Sequence, residues 1–351
     1  MRRLLPEGCV ILPSMPALDS FQRPLRDLRI SVTDRCNFRC TYCMPFDEYK
    51  WIERQEVLSF EEIERVARVF RGFGIEKIRL TGGEPLVRKE LHRLVSRLAG
   101  IEGLGDLSLT TNGALLAEQA QELYQAGLRR INVSIDTLRP DRFKALTKRG
   151  NLDEVLAGVF AAKKAGMTPI KINAVVIRGT NEDEILDLAG FARMNGFEMR
   201  FIEYMDVGNA NAWSLDKTVT KREILDTVNA RFPVRELGRA HGSAPAVDYE
   251  FLDGAGEIGI IGSVTEPFCS SCTRVRLTAD GKLVTCLFAE TGFDLKALIR
   301  SGVSDEGLCA EIAGIWLSRT DRYSDVRWEQ VLAGGYQPRD HKKIEMITLG
   351  G

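Results

Sequence analysis

The chain carries almost no excess charge of either sign: 48 Lys and Arg against 49 Asp and Glu leave a formal net charge of -1 over 351 residues. Without a global basic field, nucleic acid is not expected as a partner, and without an acidic tail there is no charge-driven disordered arm. No apolar stretch is long and uncharged enough to cross a bilayer, so no membrane role is expected. A signal-peptide core is missing too: after Arg2 and Arg3, the residues Pro6, Glu7, Pro13 and Pro16 interrupt any hydrophobic region, and residues 1–25 are expected to be a flexible lead-in. Cysteine is scarce but concentrated. Of eight, six fall in two triplets while Cys9 and Cys309 stand alone. That is metal-ligand usage in a reducing compartment, the cytoplasm, rather than a secreted disulfide scaffold. With 44% apolar residues the chain can build a substantial core, and its length suggests two modules.

What the first triplet lacks is a fourth member. Cys36, Cys40 and Cys43 form a C-x3-C-x2-C run in one short loop. A cubane iron–sulfur cluster takes four cysteines, one per iron, so three leave one iron open to another ligand. Structural zinc prefers paired C-x2-C elements with a fourth ligand, and a disulfide would leave an odd thiol, but spacing alone keeps both alternatives open.

From Asp27 onward short β-rich runs alternate with longer amphipathic stretches. Strands are expected at 28–33, 77–80, 107–110, 130–135, 170–176 and 199–203. A helix is expected over 59–73, where Ser59 and Glu62 fit an S-x-x-E capping box. About six β/α units with short, mostly apolar strands predict an α/β fold, a partial β/α barrel over 26–215. A doubly wound open sheet is the alternative that periodicity does not exclude. The strand ends are chemically rich: the cysteine loop after the first, Thr81-Gly82-Gly83-Glu84-Pro85 after the second, Thr110-Thr111-Asn112-Gly113 after the third, and Ser134 and Asp136 at the fourth. In β/α barrels that end of the sheet holds the active site, although Gly, Thr and Asn are also ordinary turn residues. Gly82-Gly83 would let backbone approach an amino-acid-like ligand.

The Gly/Asn-rich stretch 205–212 reads as a linker, and a Thr220/Glu223 capping box starts the next helix. The second module, 216–351, is expected to be α+β and to close the barrel mouth. It holds Cys269, Cys272 and Cys286, a C-x2-C-x13-C set again one ligand short, with Cys309 far downstream in an expected helix. Arg274 and Arg276 follow on an expected strand, where alternation puts both guanidiniums on one face. Such a pair suits phosphate oxygens, and the bland alternative is a solvated strand face.

The C-x3-C-x2-C loop with Tyr42 before its last cysteine, followed by Gly82-Gly83-Glu84-Pro85, resembles the radical S-adenosylmethionine superfamily. Within it the chain is similar to the family that cyclises GTP at the start of molybdenum cofactor biosynthesis. That likeness runs through residues 28–36, 79–84 and 201–208, Phe268-Cys269 and the terminal Gly350-Gly351. The resemblance implies a radical-generating four-iron four-sulfur cluster on Cys36, Cys40 and Cys43, and an S-adenosylmethionine site lined by Tyr42, Gly83, Ser134 and Met205. It implies a second such cluster on Cys269, Cys272 and Cys286 whose free iron meets guanine. GTP would be held by Arg29, Arg79, Thr110, Lys171, Arg274 and Arg276. The implied reaction removes hydrogen from C3′ of the ribose and joins C3′ to C8, giving 3′,8-cyclo-7,8-dihydro-GTP. Implied partners are cyclic pyranopterin monophosphate synthase, which takes the product, a reductant protein as electron donor, and a second copy in a homodimer. Two alternatives stay open: a radical peptide-modifying maturase, and a zinc-binding protein without catalysis. Thr273 and the loop 241–247 depart from the family pattern without removing a proposed ligand.

Overall fold

A computed structural model describes residues 17–211, 213–336 and 343–350. Cys9 and Gly351, both singled out above, lie outside the described residues. Six strands, β1 (Asp27–Ser31), β2 (Lys77–Thr81), β3 (Asp106–Thr111), β4 (Arg130–Ser134), β5 (Ile170–Val176) and β6 (Glu198–Glu203), lie side by side in sequence order, all parallel. Between them run α1 (Phe60–Gly72), α2 (Leu91–Ala99), α3 (Leu116–Gln125), α4 (Pro140–Thr147), α5 (Leu152–Ala165) and α6 (Ile185–Asn195). The strands agree with the expected ones to within two residues. Ser59 and Glu62 exchange both bonds of the expected box: the Glu62 N–H donates to Ser59 Oγ at 3.1 Å and the Ser59 N–H to Glu62 Oε2 at 2.7 Å.

Alternation divides each strand between two surroundings. Leu28, Ile30, Ile78, Leu80, Leu109, Ile131, Val133, Ile172, Met199 and Phe201 are buried in one core with Ile63, Val66 and Phe70 of α1. Each such side chain contributes roughly 1.5–3 kcal/mol by leaving water. The intervening positions, among them Arg29, Arg79, Asn132, Asn173 and Arg200, face the interior cavity. Polar residues there are unusual for buried parallel strands, which otherwise read as continuous apolar runs.

The second half of the chain extends the same sheet. After α7 (Lys221–Arg231) come β7 (Val234–Gly238), β8 (Val247–Phe251) and β9 (Glu257–Ile261), and β9 pairs parallel with β6. Then β10 (Arg274–Leu277) pairs parallel with β1 at the opposite edge, followed by β11 (Lys282–Val284) and β12 (Phe293–Asp294). The full order is β12-β11-β10-β1-β2-β3-β4-β5-β6-β9-β8-β7, an open sheet with eight successive parallel strands and antiparallel strands outside them. The helices α8 (Leu295–Arg300), α9 (Asp305–Leu317), α10 (Tyr323–Leu332) and α11 (Met346–Leu349) complete the chain.

Because β9 and β10 occupy opposite edges, residues 262–273 must cross from one edge to the other. They carry Cys269 and Cys272 and end beside Asp27, at the start of β1. Cys36 follows the other end of β1, so the two triplets lie toward opposite ends of that strand, whose five residues rise about 16 Å. Two expectations change here. Residues 205–211 of the expected linker are packed: Asp206 is buried beneath Arg327, Tyr323, Tyr336 and Lys343, and Met205 and Val207 line the cavity. A charged residue that gathers four donors competes with the flexibility that Gly and Asn suggest. The expected lead-in is packed from residue 17 onward, because Arg23 is buried, paired with Asp19, and donates to the Cys269 carbonyl at 2.7 Å.

Candidate active site

The first triplet sits on the loop leaving β1, and that loop is fixed by the loop leaving β2. The N–H of Gly83 donates to the Thr33 carbonyl at 2.8 Å, and that of Glu84 to the Arg35 carbonyl at 2.8 Å. A Cβ on Gly83 would lie 2.4 Å from the Arg35 carbonyl oxygen. The absent side chain therefore admits the cysteine loop's own backbone, in addition to any ligand. Glu84 is buried and accepts from Thr111 Oγ1 at 2.6 Å, the Asn112 N–H at 2.6 Å and the Leu86 N–H at 2.9 Å, while burial pushes its carboxyl up to about 7. Asn112 in turn donates to Asn37 Oδ1 at 2.7 Å. Tyr42 donates to Asp136 Oδ2 at 2.6 Å, and burial raises Asp136 to about 6.

Burial pushes the Cys36 thiol up to about 11 and the Cys43 thiol up to about 12, and raises Cys40 well above its ordinary value, with Cys43 adding to it. Only bound metal would keep three such neighbours ionised together. Among the described residues no three His, Cys, Asp or Glu side chains converge on a single metal ion. The free cysteines of each triplet supply three thiol donors, the ligand chemistry of a cubane that leaves one iron open.

The second triplet is electrostatically different. Arg274 donates to Cys272 Sγ at 3.2 and 3.4 Å, and Arg319 donates to the same sulfur at 3.3 Å and to the Cys272 carbonyl at 3.0 Å. Burial opposes ionisation, but these two guanidiniums outweigh it and bring Cys272 down to about 6. Cys286 is pushed up to about 12 by burial.

Beside the second triplet lies a cavity of about 180 Å³ lined by residues of β1, β2, β4, β5, β6, β9 and β10. Arg276, Arg29 and Arg79 stand next to one another in register across β10, β1 and β2. Their Nε atoms are buried without a hydrogen-bond partner, and none makes an ion pair among the described residues. Burial, then the neighbouring Arg276 and Arg79, lowers Arg29 well below its ordinary value, and burial followed by Arg274 brings Arg276 to about 10. Such a layer is costly unless an anion completes it. Met205 and Gly350 line the same cavity. Gly350 has φ 71°, and a Cβ on it would lie 2.3 Å from Thr81 Cγ2.

The expected residues are thus only partly gathered. Arg29, Arg79, Arg274, Arg276, Met205 and the second triplet surround the cavity. Thr110 and Lys171 do not line it. They share a layer with Asn132, which does, and Lys171 is ion-paired to Glu198 of the adjacent strand. Tyr42, Gly83 and Ser134 belong to the carboxyl end of the sheet outside the cavity lining. Arg200 and Arg319 line the cavity and were missed. Arg200 alternates with the buried Met199 and Phe201 in β6 as Arg274 and Arg276 alternate with apolar residues in β10, so its signal was present; Arg319, just after α9, had none. Pro245, from the loop that departs from the family pattern, also lines the cavity.

A cysteine triplet at the end of β1, braced by a Gly-Gly-Glu-Pro turn at the end of β2 in an open parallel barrel, defines a radical S-adenosylmethionine enzyme. The family model described as the radical SAM superfamily matches residues 30–192, and that described as Molybdenum Cofactor Synthesis C matches 197–325. Relatives named GTP 3′,8-cyclase include one from Acidothermus cellulolyticus, 46% identical over 96% of this chain and 100% of its own length. Others come from Xanthomonas campestris pv. campestris, 47% identical over 97% and 99%, and Staphylococcus carnosus, 45% identical over 95% and 98%. The chain belongs to the GTP 3′,8-cyclase family. Among solved structures, Streptococcus suis SuiB bound to precursor peptide SuiA shares the fold, with a TM-score of 0.60 at 15% identity over 86% of this chain and 66% of that one.

Proposed function

We propose that the protein converts GTP to 3′,8-cyclo-7,8-dihydro-GTP, the first step of molybdenum cofactor biosynthesis, using S-adenosylmethionine and two four-iron four-sulfur clusters. The observation that carries this reading is the unpaired arginine layer, Arg276, Arg29 and Arg79, facing a cavity it shares with the second triplet. Bound at the first triplet, the cluster and S-adenosylmethionine supply a radical able to take hydrogen from a ribose carbon. Cys36, Cys40 and Cys43 hold that cluster, and Tyr42, Gly83, Ser134 and Met205 hold S-adenosylmethionine. Cys269, Cys272 and Cys286 hold the second, with an iron left for the base. Arg29, Arg79, Arg274 and Arg276, joined by Arg200, clamp the triphosphate and keep water from it. Lys171 joins by exchanging Glu198 for phosphate, and Thr110 stands beside it in the same layer.

The chain divides functionally into 26–215, which generates the radical, and 216–351, which presents the nucleotide. It works in the cytoplasm with a reductant protein, passes its product to cyclic pyranopterin monophosphate synthase, and pairs as a homodimer. No helix among the described residues is long and apolar enough to cross a membrane.

Anaerobic incubation of reconstituted protein with S-adenosylmethionine, a reductant and GTP should yield 5′-deoxyadenosine only when GTP is present. A requirement for a peptide or for another nucleotide would overturn the substrate. The clamp also predicts a pH dependence. Burial, then Arg200, lowers Lys171 to about 8, so its charge is present below that pH and lost above it. GTP affinity should therefore fall between pH 7 and 9, and Lys171→Met should flatten the change, as measured by calorimetric titration at both pH values.

A further inference from the structure

The segment Lys343–Gly350 reaches the cavity from outside the sheet, and what fastens it is a single buried carboxylate with one neighbour. Asp206, just beyond β6, accepts from Lys343 Nζ at 3.1 Å through Oδ2 and at 2.9 Å through its carbonyl. It also accepts from Tyr336 Oη at 2.7 Å, from Tyr323 Oη, and from Arg327, which is itself buried. Burial alone would raise this carboxyl, but Arg327, the tyrosine hydroxyls and Lys343 hold it down at about 2. Three positions on, Asn209 clasps the same segment from the other side. Its Nδ2 donates to the Lys343 carbonyl at 2.7 Å and to Glu345 Oε1 at 2.9 Å, and its Oδ1 accepts from the Lys343 N–H at 2.9 Å. Beyond this clasp Ile347 and Leu349 are buried, and Gly350 lies against Thr81 and Gly82, at the end of the strand that carries Arg79.

We propose that Asp206 and Asn209 are positioning residues: together they clip the C-terminal strap so that Gly350 closes the cavity over the bound nucleotide. This rests on the reading of the cavity as the GTP site. The chemistry of the clip is suited to the task. A paired, hydrogen-bonded buried carboxylate has one well-defined geometry, and breaking its partners is costly, so the strap has one seat. Asn209 is exposed and its side-chain bonds go only to the strap, so its loss should free the strap without disturbing the core.

The test uses the full-length protein with both clusters reconstituted, comparing wild type with Asn209→Ala, Asp206→Asn, Lys343→Met and Lys343→Arg. Expected are faster amide hydrogen exchange across 343–350 in the first three, and kcat for the cyclised product lower by at least about tenfold. The ratio of 5′-deoxyadenosine to product should rise in the same variants while iron content and GTP Kd stay within about threefold of wild type. Lys343→Arg, which keeps a cation beside Asp206, should restore much of the coupling. If Asp206→Asn does not fold, Asn209→Ala and Lys343→Met decide. Wild-type exchange and wild-type coupling in Asn209→Ala and Lys343→Met would overturn the proposal, as would faster exchange with unchanged kcat. If the wild type itself forms no product from GTP, the substrate reading fails, whereas the exchange measurement still decides whether these residues hold the strap.

Discussion

Cys40→Ala should reduce GTP-dependent 5′-deoxyadenosine formation to background while leaving roughly four irons and four sulfides per chain in place of about eight. The effect is complete because the loop has no spare ligand. Its three thiolates come from one short turn in which the N–H groups of Cys43 and Met44 both donate to the Cys40 carbonyl, at 3.0 and 2.7 Å. The Phe38 N–H points at Cys36 Sγ at 3.4 Å, so the cysteine positions are set by backbone geometry that the substitution leaves alone. Loss of activity would then report a lost iron ligand and not a lost fold. Cys272→Ala is the counterpart. It should leave the first cluster and slow, uncoupled S-adenosylmethionine cleavage, but no cyclised product. Anaerobic iron and sulfide analysis with chromatographic assay of 5′-deoxyadenosine separates the two. Stoichiometric zinc without labile sulfide in the wild type, or undiminished cleavage in Cys40→Ala, would defeat the assignment of the first triplet.

The elements legible in the sequence are those whose causes are local. Ser59 with Glu62 and Thr220 with Glu223 announce helix starts because each box is closed within four residues, and both form. The first two strands were legible as short, mostly apolar runs, whereas Arg29 and Arg79 came from the family resemblance, and strand register sets them side by side. What the sequence hid are pairings between distant segments. Nothing near β9 or β10 says that they join opposite edges of one sheet, and hence that the second triplet ends up at the amino end of β1. Lys171 was named through the family resemblance, but its partner Glu198 is chosen by the register of β5 and β6, which α6 separates in the chain. Asp206 was lost inside a stretch whose glycine and asparagines suggested slack chain, because its four donors arrive from residues more than a hundred positions away.

Arg276→Ala and Arg274→Ala, similar on paper, should fail differently. Arg276 faces Arg29 in register, carries a buried Nε with no partner, and makes no bond to a cysteine. Its removal should weaken GTP binding by about a hundredfold, the worth of a charge-assisted, bidentate contact of roughly 3 kcal/mol, while iron content stays at the wild-type value. The nucleotide-free protein should at the same time become more stable, because a buried cation flanked by other cations has been taken away. Thermal unfolding without GTP would then show a higher midpoint for the weaker binder, the mark of a site whose strain is relieved only by its ligand. Arg274 is committed elsewhere: it donates twice to Cys272 Sγ and lies over the Phe268 ring at 4.8 Å. Hydrogen bonds to ligating sulfurs tune a cluster's potential, so Arg274→Ala should shift the reduction potential and electron paramagnetic resonance signal of the second cluster as well as weaken GTP. Calorimetry, iron analysis and redox titration on the two variants distinguish a phosphate clamp from a cluster support. Equal GTP affinity in Arg276→Ala and wild type would remove the arginine layer as the reason the cavity takes a nucleotide.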